Sequence, residues 1–487
     1  MNDNKKKESG VRLRFAPSPT GFLHIGNLRS ALFGYFIAKS LGGKFILRLE
    51  DTDQKREVAG ALEKLLAIFS WLDIDFAEGP HKGGDYGPYI QTERLEIYHK
   101  YAKELVVNGG AYRCFCTSKR LEEMRAEQQA KKLPPRYDRC CRDLSTAEIE
   151  KKIKNGEEFV IRQKMPLSGE VIVSDELRGE IKFSAKDLDD HVLIKSNGVP
   201  TYQFASVIDD HLMAITHVTR GDEWLPSFPK NILLYQAFGW QAPKFVHLPL
   251  ILNKTGGKLS KRQGDVYVED YKQKGYLSEA IINFCILLGW HPKNDQEILS
   301  RQEIIANFKL EEIGVSPAIF DEEKLDYLNG YYIRKKTKTE LMDLLRPYFI
   351  AEKIKIDDKQ LEKITVLAQE RIKKLADIID FSAFIFKLPD YDGELLAWKK
   401  LSKEEAQTNL QLLLKLIEKI PDKQWEIKEL ETLIFAFITE NNGKNGDFLW
   451  PLRVALSGLK NSPGPFEIAW ALGKEETINR IKSALNK

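Results

Sequence analysis

Apolar and polar positions alternate in two different ways along the chain. Up to about residue 330, short apolar runs alternate with helical stripes; from about Arg334 onward nearly every segment has a helical period. VRLRFA (11–16) is a short, partly alternating run that predicts a strand. PSPTG (17–21) carries two prolines and a glycine and predicts a turn. From His24, the residues Ile25, Leu28, Ala31, Leu32, Tyr35 and Phe36 recur three and four apart, the spacing of a helix. Gly42-Gly43 ends it. KFILRLE (44–50) predicts a second strand, closed by Asp51-Thr52-Asp53. Strand, helix and strand with short connections form a βαβ unit and imply a parallel sheet.

A second α/β stretch starts near Asp190. VLIKS (192–196), MAITHVTRG (213–221) and KFVHLPLIL (244–252) predict strands, and PSFPKNILLYQAFGW (226–240) predicts a helix. Residues 96–190 differ in character, with cysteines, a charged helical segment at Ser118–Lys132 and Pro134-Pro135. They are expected to be an insertion dividing one Rossmann-like domain into halves at 1–95 and 191–252. A connecting region at 253–335 and an α-helical domain at 336–487 complete the expected multidomain α/β plus all-α architecture.

Composition narrows the class. At about 150 residues per domain, 487 residues suggest roughly three domains. Hydrophobic residues at 43% and charged residues at 30% exclude disorder, collagen and a coiled-coil rod. AIINFCILLGW (280–290) is the longest nearly apolar run and is too short for a membrane helix. MNDNKKKESG has no apolar stretch after its lysines, so no secretory signal is expected. Five cysteines, an odd count, point to reduced thiols and a cytoplasmic location without membrane association. The first 330 residues carry 47 basic and 47 acidic residues, and the remainder 27 against 24. Composition therefore offers no sign of nucleic-acid binding, and any such inference rests on motifs.

Two motifs stand out. In RFAPSPTGFLHIGN (14–27) a helix begins just after a strand, where free backbone N–H groups suit phosphate. Gly26 clears the approach and His24 could donate to a phosphate or ribose oxygen; an ordinary βα turn with a surface histidine is the alternative. The spacing is neither G-x-G-x-x-G nor G-x-x-x-x-G-K-[ST]. The second motif is Lys258-Leu-Ser-Lys-Arg262, after Asn253-Lys-Thr-Gly-Gly257. Its cations could close over a polyphosphate and stabilise departing pyrophosphate, or form a solvated basic loop.

Together, HIGN and KLSKR resemble the HIGH and KMSKS signatures of class I aminoacyl-tRNA synthetases. RFAPSPTGFLHIGNLRSALF, FILRLEDTD, GPYIQTER, VPTYQFASVIDDHLM, THVTRGDEWL and KLSKR, in order from residue 14 to residue 262, resemble the bacterial glutamyl-tRNA synthetases. The resemblance implies ATP-dependent activation of L-glutamate, assisted by Mg2+, and transfer to the terminal adenosine of tRNA(Glu). It leaves tRNA(Gln) open as a second acceptor. It implies a monomer, an acceptor-binding insertion, a stem-contact region at 253–335 and a helical anticodon-binding domain.

The resemblance also implies residue roles. Arg14 and Arg220 match the positions that read the substrate γ-carboxylate, a task suited to bidentate guanidinium. Tyr202 assists, Ala16 and Ser18 line the pocket, and Glu50 receives the α-ammonium. A buried ion pair is the structural alternative for Arg14 and Glu50. Ser206 stands where some members carry asparagine. His24, Gly26 and Asn27 would hold ATP phosphates, Glu223 the ribose side, and the Leu250-Ile251 backbone the adenine. Lys258, Ser260, Lys261 and Arg262 would bind the triphosphate. Cys114, Cys116 and Cys141 align with three ligands of a zinc knuckle found in some members, with Asp143 at the fourth position, where carboxylate is unusual. Reduced structural cysteines are the alternative. Arg371 lies near the position where members that discriminate tRNA(Glu) carry an arginine reading the last anticodon base; an exposed arginine on a polar helix face is the alternative.

Other relatives fit less well. Glutamyl-queuosine synthetases lack the C-terminal helices, and glutaminyl-tRNA synthetases carry β-barrels there. Small-molecule adenylyltransferases are shorter. A non-catalytic, tRNA-binding paralogue would not need His24, Gly26, Lys258 and Lys261.

Overall fold

Strand β1 (Arg12–Phe15) is buried along its length and pairs in parallel with β2 (Lys44–Leu47), placing Arg14 opposite Ile46. Helix α1 (Ile25–Ser40) connects them and is buried on nearly every side, as a helix roofed by other elements must be. Gly34 lets it close on the sheet: a Cβ there would meet Thr219 Oγ1 at 3.0 Å and Phe45 at 3.2 Å. The computed structural model describes residues 10–19, 21–53, 58–257, 259 and 266–487. They divide into two compact units, residues 1–271 with 281–322, and residues 272–280 with 323–487.

In the first unit, β8 (His217–Gly221) and β9 (Lys244–Leu248) are parallel, with Arg220 opposite His247. The Thr216 N–H donates to Arg12 O at 2.9 Å and ties this pair to β1. The strand expected over 213–221 begins only at His217. Residues before it close helix α6 (Tyr202–Leu212), where Met213 is the C-cap and Ala214 has φ 52°. The expected helix at 226–240 is α7 (Phe228–Ala237). The run 244–252 is two strands, β9 and β10 (Ile251–Leu252), broken at Pro249, which has no N–H to give a ladder. Strand β10 pairs in parallel with β11 (Ala318–Ile319).

Residues 96–190 hold helices α3 (Leu95–Val107), α4 (Ser118–Ala130) and α5 (Thr146–Lys154), after α2 (Ala61–Trp71). They also hold β3 (Ala111–Cys114) and β4 (Val160–Gln163). The strand expected at 192–196 is β7 (Val192–Ile194). It pairs antiparallel with β4 in the order β3-β4-β7, away from the parallel strands. The hairpin of β5 (Glu170–Asp175) and β6 (Gly179–Ser184) instead extends the β8–β9 sheet, through a parallel pairing of Asp175 with Phe245.

The second unit is built of helices from Lys338–Ala351 to Lys474–Ala484, as its period predicts. Thr337–Glu340 and Ser402–Glu405 capping boxes start two of them. Leu341, Leu345, Phe349, Leu361, Leu410 and Ile434 belong to one core. Among the described residues no helix is long and apolar enough to cross a membrane.

Candidate active site

In parallel sheets, ligands bind beyond the carboxyl ends of the strands, and the expected site residues gather there. Arg14, near the end of β1, donates from Nε to Asp210 Oδ1 at 2.9 Å and from Nη2 to Asp210 Oδ2 at 3.3 Å. Fully buried Arg48 follows β2. Its Nη1 donates to Asp210 Oδ1 at 2.7 Å and its Nη2 to Glu50 Oε1 at 2.9 Å. Arg14 and Glu50 are therefore each in a buried ion pair, with Asp210 and Arg48 respectively. Asp209, next to Asp210 on α6, accepts from Arg94 Nε (2.7 Å), Gln91 (2.9 Å) and the Tyr98 hydroxyl (2.8 Å). Burial raises Asp210, but Arg14 and Arg48 more than offset it and hold the group below the usual carboxylate range. At Glu50 burial wins over the pull of Arg48 and Arg14, and the carboxyl is pushed up to about 7.

Arg220 is the penultimate residue of β8. Its Nε donates to His247 Nε2 at 2.9 Å and its Nη1 to Asn231 Oδ1 at 3.2 Å. Its Nη2 is buried and makes no hydrogen bond among the described residues. Tyr202 opens α6 with its ring 4.5 Å from that of Trp224. Ser206, one turn on, is buried, and its hydroxyl donates to Gln203 O at 3.3 Å. Ala16 is half-buried and Ser18 exposed on the loop after β1. Arg48, Asp210, Asp175, His247 and Asn231 were not singled out in the sequence. Their available signals were an arginine inside the apolar run FILRLE and paired aspartates on an otherwise apolar helix face.

On the phosphate side, His24 is the N-cap of α1 and its Nδ1 accepts from the Gly26 N–H at 3.0 Å. The Asn27 N–H donates to His24 O at 2.9 Å. A Cβ on Gly26 would lie 3.2 Å from His24 Nδ1 and 4.0 Å from Ile251 Cδ1, so the turn tolerates no side chain without displacement. Lys258, Ser260, Lys261 and Arg262 lie outside the described residues. Residues flanking them are attached to the same turn and to β10. Leu259 N–H donates to Ile251 O at 3.4 Å, Ile25 N–H to Val266 O at 2.8 Å, and Val268 N–H to Leu23 O at 2.9 Å. Leu250 O accepts from Ala318 N–H at 3.0 Å. Glu223 is exposed on the turn after β8, with its carboxylate folded back over Gly221.

The sulfur atoms of Cys114, Cys116 and Cys141 lie within 4.8 Å of one another. Zinc–sulfur bonds of about 2.3 Å give tetrahedral edges of about 3.8 Å, and Cys116 and Cys141 are 3.6 Å apart. The donor set fits zinc. Asp143 does not join it: its side chain is 85% exposed and pairs with Lys164. Cys140 Sγ, 3.3 Å from Cys116, and the Tyr137 hydroxyl, 3.2 Å from Cys114 Sγ and 3.5 Å from Cys116 Sγ, lie closer.

In the second unit, Arg371 follows the helix Asp358–Ala368. Its Nη1 donates to Leu367 O at 2.7 Å and its Nη2 to both oxygens of Glu467 at 2.9 and 2.8 Å, so the guanidinium is fixed although the residue is exposed.

A family model described as tRNA synthetases class I (E and Q), catalytic domain, matches residues 10–327. A second, described as anticodon binding domain, matches residues 340–485. A glutamate–tRNA ligase of Clostridium botulinum (strain Eklund 17B / Type B) is 45% identical over 478 residues, 98% of each chain. One of Clostridium tetani is 45% identical over 490 residues, covering 100% of this chain and 99% of its own. The crystal structure of a glutamate tRNA ligase from Elizabethkingia meningosepticum, in complex with its amino acid, superposes with a TM-score of 0.90. Its sequence is 36% identical, and the match covers 98% of this chain and 99% of that one.

Proposed function

Since the chain belongs to the glutamate–tRNA ligase family of class I aminoacyl-tRNA synthetases, we propose that Arg14, Glu50, Tyr202, Ser206 and Arg220 form its glutamate pocket, with Ala16 and Ser18 at the rim. The enzyme activates L-glutamate with ATP and transfers the acyl group to tRNA(Glu). The observation that carries the pocket assignment is the guanidinium of Arg220. Two of its nitrogens are held by the protein, and the third is buried and, among the described residues, makes no hydrogen bond within bonding geometry, with the Tyr202 hydroxyl as its polar neighbour. A substrate γ-carboxylate satisfies that donor, whereas an amide offers it one neutral oxygen and a clashing NH2. Glu50, when ionised, receives the α-ammonium.

His24, Gly26 and Asn27 then hold ATP phosphates at the start of α1, with Glu223 near the ribose and the Leu250-Ile251 backbone beside adenine. Leu259, within 258–265, is hydrogen-bonded to Ile251, and Val266 and Val268, just after that stretch, are hydrogen-bonded to Ile25 and Leu23 on either side of His24. That supports Lys258, Ser260, Lys261 and Arg262 as the cationic and hydroxyl groups over the triphosphate. Mg2+ bound with ATP neutralises phosphate charge. No protein nucleophile is needed, because both steps are displacements that positioning and charge stabilisation accelerate. Zinc, held by Cys114, Cys116 and Cys141, would organise the inserted segment and take no part in the chemistry.

The domain division at 1–95 with 191–252, 96–190, 253–335 and 336–487 belongs to the same proposal, as does a monomer working in the cytoplasm. Aminoacylation with radiolabelled glutamate, against tRNA(Glu) and tRNA(Gln) separately, is the test. Charging of tRNA(Glu) alone supports Arg371 as a discriminating residue. Charging of both removes that role and makes tRNA(Gln) a second acceptor. Charging of neither refutes the activity.

A further inference from the structure

We infer that His247 and Asp175 are positioning residues for glutamate recognition: an uncharged imidazole held by an ionised carboxylate, which together aim Arg220 at the substrate carboxylate. The inference rests on the assignment of Arg220 to the glutamate pocket. It goes beyond that assignment by tying glutamate affinity to a hairpin that lies in the inserted stretch of the sequence.

The clamp follows from proton bookkeeping. An arginine Nε always carries hydrogen, so His247 Nε2, 2.9 Å away, must be the acceptor and must lack a proton. The ring proton therefore sits on Nδ1, 2.7 Å from Asp175 Oδ2, to which it donates. The same carboxylate oxygen accepts the backbone N–H of His247 at 3.0 Å. Its other oxygen accepts the N–H groups of Leu177 and Arg178 at 3.0 and 3.1 Å, at the hairpin turn. Four donors hold Asp175 in one orientation. The order is hairpin turn, Asp175, His247, Arg220, and all three side chains are buried. Asn231 takes Nη1, and the rings of Phe228 and Phe245 flank the guanidinium at 5.7 and 5.1 Å. Rotation about the last side-chain bonds of Arg220 is blocked on both edges, which leaves Nη2 as the guanidinium nitrogen with no hydrogen bond among the described residues. Without the imidazole, Arg220 would keep its charge but lose its aim, and displacement by about 1 Å can cost about 100-fold in a reaction that depends on alignment.

A structural hydrogen bond in the core would affect folding and all substrates alike, so the test separates glutamate from ATP. The full-length enzyme is assayed with tRNA(Glu) for kcat and for KM of glutamate and of ATP, with thermal unfolding followed in parallel. His247→Ala removes both contacts. His247→Gln keeps an acceptor for Arg220 and a donor for Asp175. We expect His247→Ala to raise the glutamate KM about tenfold or more with the ATP KM held within about twofold, and His247→Gln to restore most of the loss. Should His247→Ala not fold, His247→Asn serves, since its amide is too short to span both partners. Arg220→Ala serves as the reference. If it raises the glutamate KM and the His247 variants do not, the clamp is refuted and the pocket stands. Equal rises in both KM values, or no rescue by glutamine, also refute the clamp. If Arg220→Ala leaves the glutamate KM unchanged, the pocket assignment falls and the clamp with it.

Discussion

Arg14 on the first strand and Asp210 on helix α6 meet in a two-point fork, Nε to Oδ1 at 2.9 Å and Nη2 to Oδ2 at 3.3 Å, across 196 positions of sequence. Asp210 also holds Arg48, so one carboxylate separates two buried guanidinium groups. Asp210→Asn keeps the shape and removes the charge. It should destabilise the fold by about 3–5 kcal/mol, the usual effect of leaving buried charge unpaired. It should also raise the glutamate KM by releasing Arg14. Denaturant unfolding and steady-state kinetics measure the two effects; an unchanged unfolding midpoint would show that the fork contributes nothing.

The proposed role of Glu50 predicts a pH dependence of activity with a defined sign. Its carboxyl is pushed up from 4.5 to about 7, chiefly by burial. Only the ionised form can pair with the substrate ammonium, so kcat/KM for glutamate should fall as pH drops through about 7 and level off above it. Glu50→Gln should be weakly active and lack that inflection. Stability runs the other way. The folded state keeps this proton to higher pH than the unfolded chain, so this group's contribution is present below about pH 4.5 and is lost as pH rises toward 7. Glutamate pH–rate profiles of both forms decide the matter.

Metal content separates Cys141 from Asp143. If the thiols hold zinc as proposed, Cys141→Ser should lose it while Asp143→Asn should keep it, because the Asp143 side chain lies in solvent beside Lys164. Elemental analysis of the purified variants reads this directly. Loss of zinc from Asp143→Asn would bring that carboxylate back into the ligand set.

Arg12 and Glu78 form another buried pair, with Nη1–Oε1 at 2.7 Å and Nη2–Oε2 at 2.9 Å. Arg12 and the neighbouring Tyr89 hydroxyl hold Glu78 down at about 2. Glu78→Gln should lower stability by about 3–5 kcal/mol near neutral pH. The difference from the unaltered protein should shrink as pH falls from about 4.5 toward 2, where the glutamate takes up its proton. Chemical unfolding at several pH values tests both statements.

Much of this was legible along the chain. The three- and four-residue spacing from Ile25 to Phe36 and the alternation around Arg14 report local backbone geometry, and both elements form where that pattern predicts. Helix α6 was not legible, because Asp209 and Asp210 look like solvent-facing residues. They are buried since Arg94, Arg14 and Arg48 converge on them from other segments. The run at 192–196 reads as a strand, but an apolar run does not name its partner. Competition among edges placed it against β4 and gave the place beside β9 to Asp175.

The class of enzyme, the βαβ start, the helical C-terminal region and the residue types of the proposed pocket were legible from the chain alone. Each depends on short-range periodicity or on motifs a few residues long. Tertiary structure alone decided which charges neutralise which. It set Asp210 between Arg14 and Arg48, gave Arg220 its His247 and Asn231 supports, and left Asp143 outside the thiol group. The physical reason is that a buried charge is tolerated only with its partner in place. Such partners are chosen by distance in the folded chain, which spacing along the sequence does not record.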